Sequence, residues 1–182
     1  MFARPDSARE IAVPASIFVS LRRALAKEAG PLPAIHALHE AGYSAGTIAG
    51  RGFASGHDQG MAQVTQDAFW EGLSTYVSRR GWGSLTHHAL HDAVGALVSS
   101  DWAEASPGDD ADGDDASCSF GTGFLSGLLS TVAGGPVAVL EVTCRARGDA
   151  SCTFAFGNAE AIHEVYGKLL EGSDLHGAVA AL

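Results

Sequence analysis

The sequence predicts an α+β fold, with N-terminal helices packed on a small antiparallel sheet, and three observations carry that expectation. Helical periodicity dominates up to about residue 80, strand alternation sets in afterwards, and one helix-spaced segment interrupts the strands. With 182 residues, 46% of them hydrophobic, one core suffices. Residues 10–175 are therefore expected to form a single domain between loose tails at 1–9 and 176–182.

Pro14 suits the first turn of a helix whose apolar positions Ile17, Leu21, Ala24 and Leu25 recur until Gly30-Pro31 stops it. A second helix, from about Pro33, carries Ile35, Leu38, Gly42, Ala45 and Ala49 as its seam. Residues this small let another backbone approach closely, at a cost in helix propensity. After Gly56-His57-Asp58 a third helix is expected from about Met61 to Arg79, with Val64, Ala68, Leu73 and Tyr76 on one side. Residues 85–90 and 94–100 read as short strands around His91-Asp92. Residues 106–116 form an acidic loop in which five aspartates fall within seven positions, repel one another and stay solvated. Helical spacing returns from Cys118 to Val132 and stops at Gly134-Gly135-Pro136. The next strand puts Val137, Val139, Glu141 and Thr143 on one face, and Ala138, Leu140, Val142 and Cys144 on the other. A turn at 145–149 leads into a strand over 151–156, and Asn158 caps an amphipathic helix carrying Ile162, Val165, Tyr166 and Leu169.

Charge excludes several function classes. Eleven Lys+Arg against 21 Asp+Glu give a net charge of −10, so binding nucleic acid through a general basic face is not expected. No apolar run reaches the ~18 residues of a membrane span, and the first residues lack the apolar stretch of a signal peptide. Three cysteines make a poor disulfide framework and suit a reducing, cytoplasmic setting.

All three cysteines fall between residues 118 and 152, with Glu141 among them on an otherwise apolar strand face. A carboxylate there is expensive to bury unless something cationic holds it. Cys144 and Cys152 bracket a tight turn, and Cys118 opens a helix, where free N–H groups favour a thiolate. Three thiolates and one carboxylate make four ligands, the usual number for a structural zinc site. In a regular strand Glu141 and Cys144 would point to opposite faces, so the site requires a bulge near Val142-Thr143. The alternative is three cysteines acting as small buried hydrophobes, with Glu141 paired to Arg145 or Arg147.

The run Cys118-Ser-Phe-Gly-Thr-Gly-Phe-Leu-Ser-Gly127, followed by Glu141-Val-Thr-Cys144 and Arg145-Ala-Arg-Gly-Asp-Ala-Ser-Cys152, resembles the C-terminal signature of the 4-vinyl reductase domain family. It is similar to the effector-sensing domain of phenol- and xylene-responsive NtrC-type activators. The separations of 23, 3 and 8 residues match the Cys, Glu, Cys and Cys zinc ligands of those sensors. The resemblance thus implies structural Zn2+ on Cys118, Glu141, Cys144 and Cys152, pinning a C-terminal β-hairpin. It also implies a fold similar to small TRAPP subunits, often dimeric, around an apolar cavity. Trp102 falls where the phenol sensors place a tryptophan that meets the effector hydroxyl. Those sensors use a histidine before their first strand; the matching stretch here is Tyr76-Val-Ser-Arg79, where Tyr76 is the candidate hydroxyl donor. Phe120, Phe124 and Leu128, at i+4 intervals, and Val139 are the candidate apolar wall, or plain core.

Other patterns carry less. His87 and His91 on one strand face would lie ~13 Å apart, too far for one ion, and His36 and His39 read as a helix flank. The acidic loop places Gly108 and Ser119 where a calcium loop needs ligands. Gly121-x-Gly123-x-x-x-Gly127 is not a dinucleotide fingerprint; its glycines let the helix approach the sheet or a ligand. No nucleophile–base motif stands out, so no catalytic residue is assigned and no enzyme activity is expected. The expected function is a stand-alone sensory domain with an apolar pocket for a small hydrophobic, aromatic-sized ligand. Its expected partners are a second copy of the chain and a separate signalling effector. A tetrapyrrole carrier for chlorophyll-type vinyl reduction, or a ligand-free interaction subunit, is the alternative.

Overall fold

Gly30, at φ 92°, ends one helix and opens the next. In this computed structural model, which describes residues 10–56, 64–105 and 117–182, α1 spans Ser16–Ala29 and α2 spans Pro31–Ser55. Pro31 starts α2 two residues before the expected position, because its missing N–H costs nothing in the first turn. α3 spans Gln66–Ser78, and the Thr65 hydroxyl caps it by accepting the Ala68 N–H at 3.3 Å. Val64 and Thr65 are not helical, so α3 starts later than the periodicity from Met61 suggests. Met61 itself, His57-Asp58, the tail at 1–9 and the acidic loop at 106–116 lie outside the described residues.

Four strands form one antiparallel sheet in the order β1-β2-β4-β3: β1 (Thr86–His91), β2 (Val94–Ser99), β3 (Ala138–Thr143) and β4 (Cys152–Gly157). α4 (Ser119–Ala133) joins the two hairpins. α5 (Ala159–Leu170) follows β4, with the Asn158 side chain accepting the Ala161 N–H at 2.8 Å as expected. The predicted tail at 176–182 is instead mostly a short helix, α6 (Leu175–Ala180). Asp174 caps it, and Ala178 and Val179 bury its inner side.

The sheet separates two apolar clusters. One face carries Leu97, Phe154 and Cys152 against α2, α3 and α4. The other carries Val94 and Ala155 against α5 and α6. α4 lies between α2 and the sheet, and glycines set the α2–α4 distance. A Cβ on Gly42 or Gly46 would overlap the carbonyl oxygen of Phe120 or Phe124, and one on Gly123 or Gly127 that of His39 or Tyr43. The seam of α2 is therefore Gly42, Gly46 and Gly50, flanked by Ala45 and Ala49 rather than built on them. Gly123 and Gly127 of α4 serve the same contact and so approach a helix and not the sheet, whereas Gly121 faces Trp102 and Glu104.

Candidate metal centre and apolar cavity

Four side chains from three elements converge at one end of α4. Cys118 is its N-cap residue, Glu141 lies on β3, Cys144 follows that strand, and Cys152 opens β4. The β3–β4 register slips between Glu141 and Thr143. This is the irregularity the spacing demanded, and it brings Glu141 and Cys144 to the same side. A 3-10 turn at Arg145–Arg147, closed by Gly148 at φ 98°, returns the chain to Cys152. The Asp149 carboxylate holds that turn by accepting the Cys144 N–H at 2.7 Å.

One ligand atom from each of Cys118, Glu141, Cys144 and Cys152 lies within 4.8 Å of the others. Cys118 Sγ and Cys144 Sγ are 3.6 Å apart, with no disulfide between them. Two thiolates at ~2.3 Å from a tetrahedral zinc stand about 3.8 Å apart, so the cluster is already close to the size of a coordination shell. The thiols are fully buried. Both Glu141 oxygens accept the Cys118 N–H, at 3.2 and 3.1 Å, and Arg147 approaches Glu141 at 3.5 Å.

The electrostatics agree with a site suited to a cation. Burial, then the neighbouring Cys144, pushes Glu141 up to about 7. Cys118 is raised because it donates to Cys144 and Cys152 and is itself buried. Cys152 is held down to about 4 as the acceptor of those two thiols. Several buried like charges cannot coexist without a cation, so Glu141 and Cys118 hold their protons more tightly than in water. This donor set fits zinc, and among the described residues no other group of three or more His, Cys, Asp or Glu side chains brings ligand atoms together in this way. His36, His39, His87, His88 and His91 join no such group.

The candidate pocket residues pack mostly as core. Trp102, Phe124 and Leu128 are buried in one cluster, with Phe120 and Val139 against it. The indole of Trp82, which periodicity does not mark, stacks on Trp102, Phe120 and Phe124 at ring-centroid distances of 5.3, 5.8 and 4.8 Å. It fills the space beside Trp102. The Tyr76 hydroxyl donates to Ala49 O at 2.9 Å, and its ring lies 3.6 Å below the Arg80 guanidinium. Burial raises its pKa.

A half-open apolar cavity of about 460 Å³ lies instead at the other end of α4, between Phe69, Trp70, Leu129, Val132, Val137 and Phe156. Trp70 stacks on His87 at 4.0 Å and 7°. Its Nε1 is buried without an acceptor, as is that of Trp102. A second groove, of about 890 Å³, runs over the opposite sheet face beside Tyr166, Leu169 and Leu175. Sequence reasoning missed Trp70 and also Glu104, a buried carboxylate that accepts the Phe120 and Gly121 N–H groups at the start of α4. An acid on so short a segment carries no periodic signal.

Residues 102–158 match the model of the V4R domain, a stretch that contains Trp102 and all four candidate ligands. The resemblance read from the sequence is borne out by that match. No curated protein matches the sequence. The phenol-responsive sensory domain of the transcription activator PoxR, determined with phenol, is similar in structure. Its TM-score is 0.70 at 15% identity, over 93% of this chain and 84% of that one. A trafficking protein particle complex subunit 3 from Naegleria fowleri, covalently bound to palmitic acid, superposes with a TM-score of 0.63 at 15% identity, over 79% and 91%. A vinyl-4-reductase family protein from Methanocaldococcus jannaschii gives 0.50 at 15% identity, over 81% and 82%. At these identities the likeness is one of fold. Among the described residues no helix is long and apolar enough to cross a membrane.

Proposed function

We propose that this chain is a small-molecule-binding sensory domain, in which a structural zinc ties the β3–β4 hairpin to α4 and an apolar cavity beside α4 takes a hydrophobic ligand. The observation that carries the ligand reading is the half-open apolar cavity of about 460 Å³ walled by Phe69, Trp70, Leu129 and Val132. That volume is in the ordinary range for small-molecule sites, which are mostly apolar with few polar groups. With so apolar a wall, the ligand is read as an apolar or aromatic body. The fold shared with the PoxR phenol-sensing domain supports the same reading.

Zinc, when bound, supplies a fixed cross-link between Cys118, Glu141, Cys144 and Cys152. These four protein donors complete a tetrahedral set, which leaves no position for a reacting water and favours binding over catalysis. A homodimer and a separate effector belong to this proposal, since sensing requires an output. Native mass spectrometry of the purified protein tests the ligand reading. A co-purifying small mass is expected, absent in Val132→Trp, which fills the cavity, and less occupied in Trp70→Phe, which removes part of its wall. Unchanged occupancy in both variants would reject this cavity as the site.

A further inference from the structure

α4 begins with an unusual deficit. Its N-cap residue is Cys118, whose side chain makes no capping hydrogen bond because the sulfur is turned into the thiol cluster. A helix start ordinarily needs a side-chain oxygen for the free N–H groups of its first turn. Here two carboxylates from elsewhere supply it. Glu141 accepts the Cys118 N–H. Glu104, only 3% exposed, accepts the Phe120 N–H on Oε1 at 3.0 Å and the Gly121 N–H on Oε2. Position 121 must be glycine for this: a Cβ there would lie 2.7 Å from Glu104 Oε2 and 2.6 Å from Trp102 Nε1. Glu104 follows Trp102 on one 3-10 turn, and Ala103 N–H ties that turn to Trp82 O at 2.9 Å.

We propose that Glu104 is a positioning residue of the metal centre: it provides the cap that Cys118 cannot, fixes the first turn of α4, and so sets where the Cys118 thiolate stands. The proposal rests on the reading of the four-residue cluster as a zinc site. Both carboxylate oxygens are needed, one for each N–H. Glu104→Gln keeps the shape but turns an NH2 group toward one of those donors.

The test is competition for zinc with a chromophoric chelator, together with the thiolate-to-cobalt absorption of the Co2+-loaded protein. Both are run on wild type, Glu104→Gln and Val165→Ala, the last a truncation in the other apolar cluster. Glu104→Gln is expected to weaken zinc binding at least tenfold and to alter the cobalt spectrum, whereas Val165→Ala lowers the melting temperature and leaves both unchanged. If Glu104→Gln does not fold, Glu104→Asp carries the test. It keeps the carboxyl group but reaches only one N–H, and an intermediate affinity is expected. Wild-type affinity and spectrum in the folded Glu104 variant would overturn the positioning role while leaving the zinc site intact. A wild-type protein that binds neither metal would overturn both.

Discussion

Glu141 sits on a strand whose same-face neighbours are Val137 and Val139, and its burial pushes its pKa from the ordinary 4.5 up to about 7. The consequence for stability has opposite signs with and without metal. In the metal-free protein the folded state holds the Glu141 proton more tightly than the unfolded chain does. The contribution of Glu141 is therefore full below about 4.5 and is lost as pH rises through about 7, while the lowered Cys152 works in the opposite direction. With zinc the folded state binds no proton at these ligands, whereas the unfolded chain still protonates its carboxylate and thiols. Stability then rises with pH across the same window. Thermal melts from pH 4.5 to 8 are expected to rise more steeply with pH in the presence of zinc than with a chelator. Parallel slopes would show that the cluster binds no zinc. This residue was legible in the sequence because an acid among valines is an anomaly that requires a partner. Trp82 was not: a tryptophan between two glycines has no periodicity, and only the fold brings it against Trp102.

At the scale of elements, the α2–α4 pair shows what packing adds to pattern. The sequence marked a small-residue seam on α2, and the structure moves its centre to Gly42, Gly46 and Gly50, where the backbone of α4 leaves no room for a Cβ. Gly46→Ala would push that Cβ into Phe124 O and is expected to destabilise by about 3 kcal/mol. Gly167→Ala, on α5 with nothing near the new methyl, is expected to stabilise by up to ~1 kcal/mol. Urea denaturation separates the two, and equal effects would mean that helix propensity and not close approach governs Gly46. Most strands and helices were legible because their periods are long enough to count. α6 was not, since six residues make less than two turns; its one local signal was Asp174 three residues before Gly177. The bulge in β3 was legible only as a requirement, from Glu141 and Cys144 having to reach one side.

For the whole molecule, the two candidate sites flank opposite ends of one helix. The thiol cluster holds the start of α4, while Leu129 and Val132, in its last turns, wall the cavity. The pocket was the least legible part of the sequence. Apolar side chains that line a cavity and those that fill a core have the same spacing, so Phe124 and Leu128 read as wall and pack as core. The claim on which the rest depends is the metal. Native mass spectrometry of the protein purified without added metal, beside Cys118→Ser, tests it most directly. One zinc per chain in the wild type, lost in Cys118→Ser together with the chelator sensitivity of its melting temperature, is the expected result. A wild-type chain at its metal-free mass, melting at the same temperature with and without chelator, would contradict it.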